Sequence, residues 1–265
     1  MSTGSAGLIV VTAASSNHAG ALCQMLESLR RLDARVECYD IGLTAGDVRA
    51  LPRWDGMVYH RFTYEDYPAF MNALVNAGEY AWKPVIVADV VERARAAGQP
   101  SDVLWADAGC YFHALQPIAD RIVRTGGLWV RPSAGTMREW THPGMFEYLH
   151  ADPGAFGDKP NADATLVGFA VGSAAPPARD AVYRHVVLPW KACAMARDCI
   201  APAGSSRGNH RQDQAVLSYL VHRGGYVFAG DTPDDLRVRT KCDRWFYHYI
   251  GFGVPPAVYA RTCLA

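Results

Sequence analysis

The sequence lacks the features of several large protein classes. No apolar stretch reaches the roughly 18 to 20 residues that span a bilayer, and the N-terminus has neither the charged start nor the apolar run of a secretory signal. There is no basic tract, and 26 Lys and Arg residues balance 26 Asp and Glu residues. These absences predict a cytoplasmic protein without a transmembrane segment that does not bind nucleic acid. Peripheral contact with a membrane stays compatible with them.

Familiar catalytic motifs and cysteine motifs are also missing. The chain has no Gly-x-x-x-x-Gly-Lys, Gly-x-Gly-x-x-Gly or His-Glu-x-x-His, which removes support for kinase, dinucleotide-binding and zincin functions. Its seven cysteines form no Cys-x-x-Cys pair. An odd number of cysteines in a chain of this size predicts reduced thiols. A disulfide between Cys193 and Cys199 is the alternative.

What is present is an alternation of strand and helix patterns. A continuous apolar run at Leu8–Ala13 is typical of a strand covered on both faces. Apolar residues at helical spacing follow, and a second strand pattern comes next, which together predict a parallel β-α-β unit. After the first strand, the first half predicts two helices, Asn17–Arg31 and Trp82–Arg95, and three strands, Arg35–Asp40, Gly56–Arg61 and Val103–Asp107.

The second half has a looser pattern. Two segments are predicted to be loops because they are rich in Gly, Pro and Ser, Ser133–Asp163 and Ala201–Asn209. The predicted regular elements are strands at Gly126–Arg131, Leu166–Val171 and Tyr226–Ala229 and helices at Ala178–Arg197 and Gln212–Arg223. With half of its residues hydrophobic, the chain is predicted to form one large α/β domain over residues 1–265. A boundary near residues 110–125 would separate halves that share a sheet.

The segment Asp102–Gly109 is the most informative part of the chain. It is predicted to be a buried strand that ends in one carboxylate, Asp107, before the small residues Ala108 and Gly109. Open α/β sheets bind ligands at the carboxyl ends of their strands. Asp107 can therefore hold a hard cation or the hydroxyls of a ribose or sugar. Capping of the turn after the strand is the alternative.

Two more polar groups lie near predicted helix starts. The turn after the first strand contains Thr12, Ala13, Ser15 and His18, and such a turn can meet a nucleotide or phosphate, while a Ser or Asn caps the helix. In Tyr80-Ala-Trp-Lys-Pro84, Lys83 can pair with a diphosphate or a carboxylate. A solvated lysine is the alternative there.

The run Asn209-His-Arg-Gln-Asp-Gln214 is denser in hydrogen-bonding side chains than a helix start requires. His210 or Asp213 can serve as a general base, and Arg211 can bind an anion. The alternative is a network that caps the helix and fixes the loop before it.

The C-terminal segment is aromatic and basic. Arg237, Arg239, Lys241 and Arg244 give a local positive field that suits a diphosphate. His248 is a candidate metal ligand or phosphate donor. The alternative is an aromatic tail packed on the core with a solvated basic edge.

Together, segments spread over most of the chain resemble a group of GT-A-type glycosyltransferases. They are Val11-Thr-Ala-Ala-Ser-Ser-Asn-His18, Tyr39-Asp-Ile-Gly-Leu43, Tyr80-Ala-Trp-Lys-Pro84, Leu104-Trp-Ala-Asp-Ala-Gly109, the Trp190 to Gly204 block with its two cysteines, and His210-Arg-Gln-Asp-Gln-Ala-Val-Leu-Ser218. The resemblance implies a Rossmann-type, mixed and mostly parallel sheet flanked by helices. It also implies a nucleotide-binding half at 1–125 and an acceptor-side half with the basic tail at 126–265.

The implied activity is transfer of a sugar from a nucleotide-sugar donor, UDP rather than GDP, to a glycan or glycolipid acceptor, as in polysaccharide biosynthesis. Thr12, Ala13, Ser15, His18, Lys83, Arg211, Gln214, Arg239 and Lys241 would bind the donor. Asp213, His210 and Asp107 would be catalytic. A catalytically inactive nucleotide- or glycan-binding module and a sugar-phosphate hydrolase are the competing functions.

The metal is the point of departure from the GT-A pattern. Many GT-A enzymes end this strand in Asp-x-Asp, and both carboxylates hold Mn²⁺ or Mg²⁺ against the donor diphosphate. Here the triplet is Asp107-Ala108-Gly109, so one carboxylate remains. Some related enzymes add a C-terminal His followed closely by Gly, and His248 and Gly251 are similar to that arrangement. A Mn²⁺ or Mg²⁺ site at Asp107 and His248 is the resulting expectation.

Overall fold

A computed structural model describes residues 7–97 and 101–240 of the chain. A six-stranded sheet forms its centre, with the strand order β3-β2-β1-β4-β7-β6. The six strands are β1 (Leu8–Ala14), β2 (Arg35–Asp40), β3 (Met57–Arg61), β4 (Asp102–Ala106), β6 (Leu128–Thr136) and β7 (Pro160–Phe169). A small ribbon pairs β5 (Tyr111–Phe112) with β8 (Val238–Arg239).

Helices lie on both faces of the sheet. The α-helices are α1 (Ala19–Arg31), α2 (Ala45–Ala50), α3 (Trp82–Ala96), α4 (Gln116–Thr125), α5 (Met137–Trp140), α6 (Pro143–Tyr148), α7 (Pro153–Phe156), α8 (Pro176–Val182), α9 (Leu188–Met195), α10 (Arg197–Ile200) and α11 (Gln212–Arg223). A π-helical turn at Tyr183–Val187 joins α8 to α9. Short 3-10 turns occupy Ser16–His18, Tyr64–Asp66 and Ala69–Met71.

The sheet is mixed and mostly parallel, as expected. β1 pairs in parallel with both β2 and β4, and β2 with β3. β7 runs antiparallel to β4 and β6. After β1 the chain builds β2 and β3 on one side, then returns through α3 to place β4 on the other side. The connection after β1 leads to β2 on one side, while β4 lies on the other side, so a crevice opens between the carboxyl ends of β1 and β4. Open α/β sheets bind ligands at such a crevice.

Burial explains why these segments form these elements. Every residue of β1 is buried because helices cover both of its faces. In α1 the apolar residues at helical spacing, Leu22, Met25, Leu26 and Leu29, are fully buried. Burying one such side chain stabilises the fold by about 1.5–3 kcal/mol. Among the residues that the structure describes, no helix is both long and apolar enough to cross a membrane.

Several expectations about secondary structure were wrong. The predicted loop Ser133–Asp163 contains the ends of β6 and β7 and three short helices. Tyr226–Ala229 is not a strand; one backbone bond, from Ala229 N to Val130 O at 2.8 Å, ties it to the sheet. No side chain caps α1. Asn17 Oδ1 instead accepts a hydrogen bond from Ser15 Oγ and lies 2.9 Å from a ring nitrogen of His18.

The expectation of reduced thiols also needs correction. Cys193 and Cys199 form a disulfide that ties α9 to α10, while Cys23, Cys38 and Cys110 are free thiols. Sequence spacing alone does not bring the two sulfur atoms together. The break between α9 and α10 turns the chain back and leaves the two Cα atoms 5.2 Å apart.

Candidate active site

A cleft opens at the carboxyl ends of β1 and β4. It has two lobes that share five lining residues, Tyr80, Lys83, Asp107, Thr165 and Arg207. The β1 lobe has a volume of about 360 Å³ and adds residues from the β1 turn and the residues after β4, namely Ala13, Ser15, His18, Ala108 and Gly109. The α11 lobe has a volume of about 290 Å³ and adds the predicted run His210, Arg211, Gln212, Asp213 and Gln214.

Three charged side chains meet where the two lobes join. Lys83 Nζ lies 3.0 Å from Asp107 Oδ1 and 3.0 Å from Asp213 Oδ2. It also donates to the carbonyl of Ala164 at 3.3 Å, and it lies 5.3 Å from the ring centre of Trp105. The Ala164 contact is a hydrogen bond, and the Asp107 contact is an ion pair. The Asp213 contact is an ion pair without hydrogen-bond alignment.

Each member of this triad comes from a different element. Asp107 follows β4, and its Oδ1 also accepts from Trp105 Nε1 at 2.8 Å. Lys83 lies in the first turn of α3 and Asp213 in the first turn of α11. Trp190 Nε1 donates to the carbonyl of Asp213 at 2.9 Å and fixes that turn. Asp107 faces the cleft with 41 % of its side chain exposed, whereas Lys83 and Asp213 are 5 % and 7 % exposed.

The triad sets the protonation of its buried members. Burial lowers the pKa of Lys83, but Asp107 and Asp213 raise it more, so the pKa lies above its ordinary value. Burial raises the pKa of Asp213 against the opposing effect of Lys83. A carboxylate with a raised pKa that faces a cleft is a stronger base than a solvated one. Asp213 thus has the environment of a proton acceptor.

His210 does not have that environment. Its ring is fully buried; Nε2 lies 3.0 Å from the carbonyl of Ile200, and Nδ1 accepts from the backbone N–H of His142 at 3.2 Å. Burial lowers the pKa of His210 to about 4. With both ring nitrogens bonded to backbone, His210 fixes the loop before α11. His210 therefore has no ring nitrogen left to act as the expected general base.

The β1 turn is only partly as expected. Ala13, Ser15 and His18 line the β1 lobe. Thr12 does not, because it lies within β1 and is fully buried, so its side chain belongs to the sheet interior. The cleft opens at the carboxyl end of β1, two residues beyond Thr12.

The described part of the basic tail, which ends at residue 240, does not lie at the cleft that the sequence analysis expected it to share. Arg239 lies in β8 and lines a separate pocket of about 150 Å³ with His113 and Arg237. It is 3.6 Å from a carboxylate oxygen of Asp234. It does not line either lobe of the cleft. Lys241, Arg244 and His248, to which donor and metal roles were assigned, lie outside the described residues.

The described residues do not fit a divalent cation beside Asp107. In residues 7–97 and 101–240, no three His, Cys, Asp or Glu side chains are grouped to hold a metal. The space between Asp107 and Asp213 is filled by the ammonium of Lys83. A cation there would compete with a buried charge that already uses both carboxylates. Among the described residues, Asp107 is thus the one carboxylate that faces the cleft for the Mn²⁺ or Mg²⁺ expected from the resemblance, and its expected partner His248 lies outside them.

A left-handed turn at Asn76–Tyr80 delivers Tyr80 to the cleft. All five residues have positive φ, between 47° and 60°. The non-glycine residues cost roughly 1–2 kcal/mol each in this conformation. Gly78 has no alternative, because a Cβ there would lie 2.1 Å from the Met71 carbonyl oxygen. Gln212 holds the turn by donating to Glu79 Oε2 at 3.2 Å. Such strain clusters at functional sites.

Sequence reasoning missed Arg207 in this cleft. Arg207 belongs to the exposed loop before α11, which composition identified only as a loop. The run Gly204-Ser-Ser-Arg-Gly208 has the Gly-x-Ser-x-Gly spacing of a hydrolase nucleophile elbow. That motif needs a preceding strand, and here helix α10 precedes the loop. The run therefore gives no support to an esterase function.

Comparisons with known proteins agree with the fold. Residues 1–88 match a family model described as "Protein of unknown function (DUF1647)". No curated protein sequence matches the chain. A crystal structure of the galactosyltransferase LgtC with donor and acceptor sugar analogs is similar at a TM-score of 0.52 and 14 % identity, over 96 % of this chain and 99 % of that one.

Two further solved structures match the chain. An active-site mutant of LgtC matches at a TM-score of 0.50 and 13 % identity, over 94 % of this chain and 98 % of that one. Mouse xyloside xylosyltransferase 1 gives a TM-score of 0.47 and 11 % identity, over 96 % and 92 % of the two chains. The fold is the GT-A type: a mixed, mostly parallel sheet flanked by helices in a single domain.

Proposed function

We propose that this protein is a glycosyltransferase that moves a sugar from a nucleotide-sugar donor to a glycan or glycolipid acceptor. The observation that supports the proposal is the position of the Lys83–Asp107–Asp213 triad. A charge cluster with two buried members, Lys83 and Asp213, lies at the sheet crevice where α/β folds bind ligands. Perturbed titratable groups in such a cleft mark functional sites.

The two lobes suggest separate places for the nucleoside and for the sugar with its acceptor. In this proposal the nucleoside of the donor, UDP rather than GDP, occupies the β1 lobe beside Ala13, Ser15 and His18. The sugar and the acceptor meet in the α11 lobe beside Arg211 and Gln214. Residues 1–125 would thus form the nucleotide-binding half and residues 126–265 the acceptor-side half.

Asp213 and Asp107 have distinct roles in this scheme. Asp107, the more exposed carboxylate, faces both lobes and would contact the donor ribose, sugar or phosphates. Asp213 would accept the proton of the acceptor hydroxyl if the reaction inverts the anomeric centre, because burial raises its pKa. Lys83 orients both carboxylates.

Location in the cytoplasm and participation in polysaccharide biosynthesis remain predictions. The Cys193–Cys199 bridge weighs against a reducing cytoplasm, since disulfides persist in oxidising compartments. Peripheral contact with a membrane would bring a glycolipid acceptor to the cleft, and it too remains a prediction.

The test is a panel of UDP- and GDP-sugars in titration calorimetry, followed by product analysis with and without acceptor sugars. Binding plus acceptor-dependent transfer supports the proposal. Binding without turnover identifies the inactive module, and release of free sugar regardless of acceptor identifies a hydrolase that uses Asp107 and Asp213. No binding of any nucleotide or nucleotide sugar refutes the glycosyltransferase.

A further inference from the structure

Arg207 is a cation at the junction of the two lobes. It lines both the β1 lobe and the α11 lobe. Its guanidinium carbon lies 5.2 Å from the ring centre of Tyr80. Within the described ranges, no Asp or Glu side chain forms an ion pair with it. An exposed guanidinium at the junction is thus available to a ligand.

The loop that carries Arg207 is built before any ligand arrives. Ser206 N donates to Asn209 Oδ1 at 2.7 Å, and Asn209 Nδ2 donates to the Gly204 carbonyl at 3.2 Å. The backbone N–H of His210 donates to the Ser206 carbonyl at 2.8 Å, and the buried His210 ring is bonded to the carbonyl of Ile200. The backbone on both sides of Arg207 is therefore held in place, which reduces the backbone entropy lost on binding.

The charge balance of the cleft requires such a cation. Lys83 is already shared by two carboxylates, so the triad as a whole carries excess negative charge. A diphosphate brings further negative charge and must be balanced by positive groups that are not already paired. The triad leaves no room for a divalent cation between its carboxylates, as described above. Arg207 faces the same space and is unpaired.

Arg211 is the competing cation, and its position is less suitable. It lines the α11 lobe alone. Its guanidinium carbon lies 3.9 Å from the ring centre of Trp140, away from the lobe junction. A diphosphate joins the nucleoside to the sugar, so it must lie where the two lobes meet. Arg207 is at that point.

We propose that Arg207 binds the donor diphosphate in this protein and that this binding needs no divalent metal. The inference rests on the proposed function. The planar guanidinium fork suits two phosphate oxygens at once. Lys83, in turn, is a positioning residue that holds Asp107 and Asp213.

The experiment is titration of UDP, GDP and their nucleosides in EDTA and again with Mn²⁺. Arg207→Ala should weaken binding of the diphosphate about tenfold or more and leave nucleoside binding unchanged. The diphosphate affinity of Arg207→Lys should fall between those of the wild type and Arg207→Ala, because lysine keeps the charge but lacks the planar guanidinium fork. The matched control is Arg223→Ala, since Arg223 also lies over an aromatic ring, 6.0 Å from the centre of Tyr219, but does not line the cleft.

Two results would overturn the inference while the proposed function survives. One is diphosphate binding by the wild type that EDTA abolishes and Mn²⁺ restores. The other is a folded Arg207→Ala protein, verified by its melting temperature, that binds the diphosphate as tightly as the wild type. If no nucleotide binds the wild type under either condition, the proposed function fails and the inference fails with it.

Discussion

Lys83 Nζ lies 3.0 Å from Asp213 Oδ2, and this contact joins the first turn of α3 to the first turn of α11. Asp107 completes the cluster at the same distance. Two of the three charges are buried, so each needs the others to remain charged inside the fold. The cluster therefore links the stability of the domain to the electrostatics of the cleft.

Removing the central charge should destabilise the protein. Lys83→Met leaves two carboxylates facing each other, one of them buried, and we expect a loss of about 3–5 kcal/mol in the free energy of unfolding. Urea denaturation measures it. The matched control is the exposed Lys159→Met, for which we expect a change within about 0.5 kcal/mol.

A second substitution separates charge from packing. Adding Asp213→Asn to Lys83→Met removes one uncompensated carboxylate and should recover part of the lost stability. Equal stability of the single and double variants would mean that the loss comes from packing of the lysine stem instead.

Asp107→Asn should lower turnover by roughly two orders of magnitude or more with little change in melting temperature. The carboxylate is partly exposed, so its charge contributes more to the cleft than to folding. Consumption of the nucleotide sugar identified by calorimetry gives the rate. Asp158→Asn is the control, since Asp158 is exposed and pairs with Arg138 on the surface. Near-normal turnover by Asp107→Asn would remove Asp107 from the mechanism.

His210 predicts a dependence of stability on pH. Its folded pKa of about 4 lies below the ordinary 6.5, so the unfolded chain takes up the proton first as the pH falls. The contribution of neutral His210 to the free energy of unfolding is complete above pH 6.5 and is lost between pH 6.5 and pH 4. In total it is on the order of 3 kcal/mol.

The measurement compares wild type with His210→Asn by urea denaturation from pH 7 to pH 4. The variant lacks the titrating ring, so the gap in stability between the two proteins should narrow as the pH falls. Burial also lowers the pKa of His222, but that effect is present in both proteins and cancels. A gap that stays constant with pH would show that the pKa of His210 is the same in the folded and unfolded states.

The Cys193–Cys199 bridge closes a short loop, and its removal should cost about 2 kcal/mol. Peptide mapping without reduction should recover the two cysteines in one linked species, and Cys193→Ser/Cys199→Ser should melt at a lower temperature. Adding a thiol reductant should lower the melting temperature of the wild type toward that of the variant and leave the melting temperature of the variant unchanged. Two unlinked peptides would contradict the bridge.

Much of the fold could be predicted because its elements have strong local signals. β2 and α11 occur at the predicted bounds, Arg35–Asp40 and Gln212–Arg223. The predicted loop at Ser133–Asp163 failed because short helices begin at Pro143 and Pro153, where Pro pre-organises a first turn that composition assigns to a loop.

The candidate site was predictable one residue at a time. Asp107, Lys83 and Asp213 each had a polar signal at an element's end, but nothing local indicated that one ammonium lies between two carboxylates. His210 was misjudged because a ligand and a loop-fixing group look alike in a polar run. Arg207 was missed because a loop's composition does not say which surface it faces.

The sequence by itself determined the α/β alternation, the carboxylate after a central strand and the polar start of the last long helix, because hydrophobic period and side-chain chemistry are local properties. Tertiary structure alone decided that Lys83 fills the space beside Asp107, that His210 is bonded on both sides and that Arg207 reaches the lobe junction. These are contacts between segments far apart in the chain, and their distances depend on how the helices pack on the sheet.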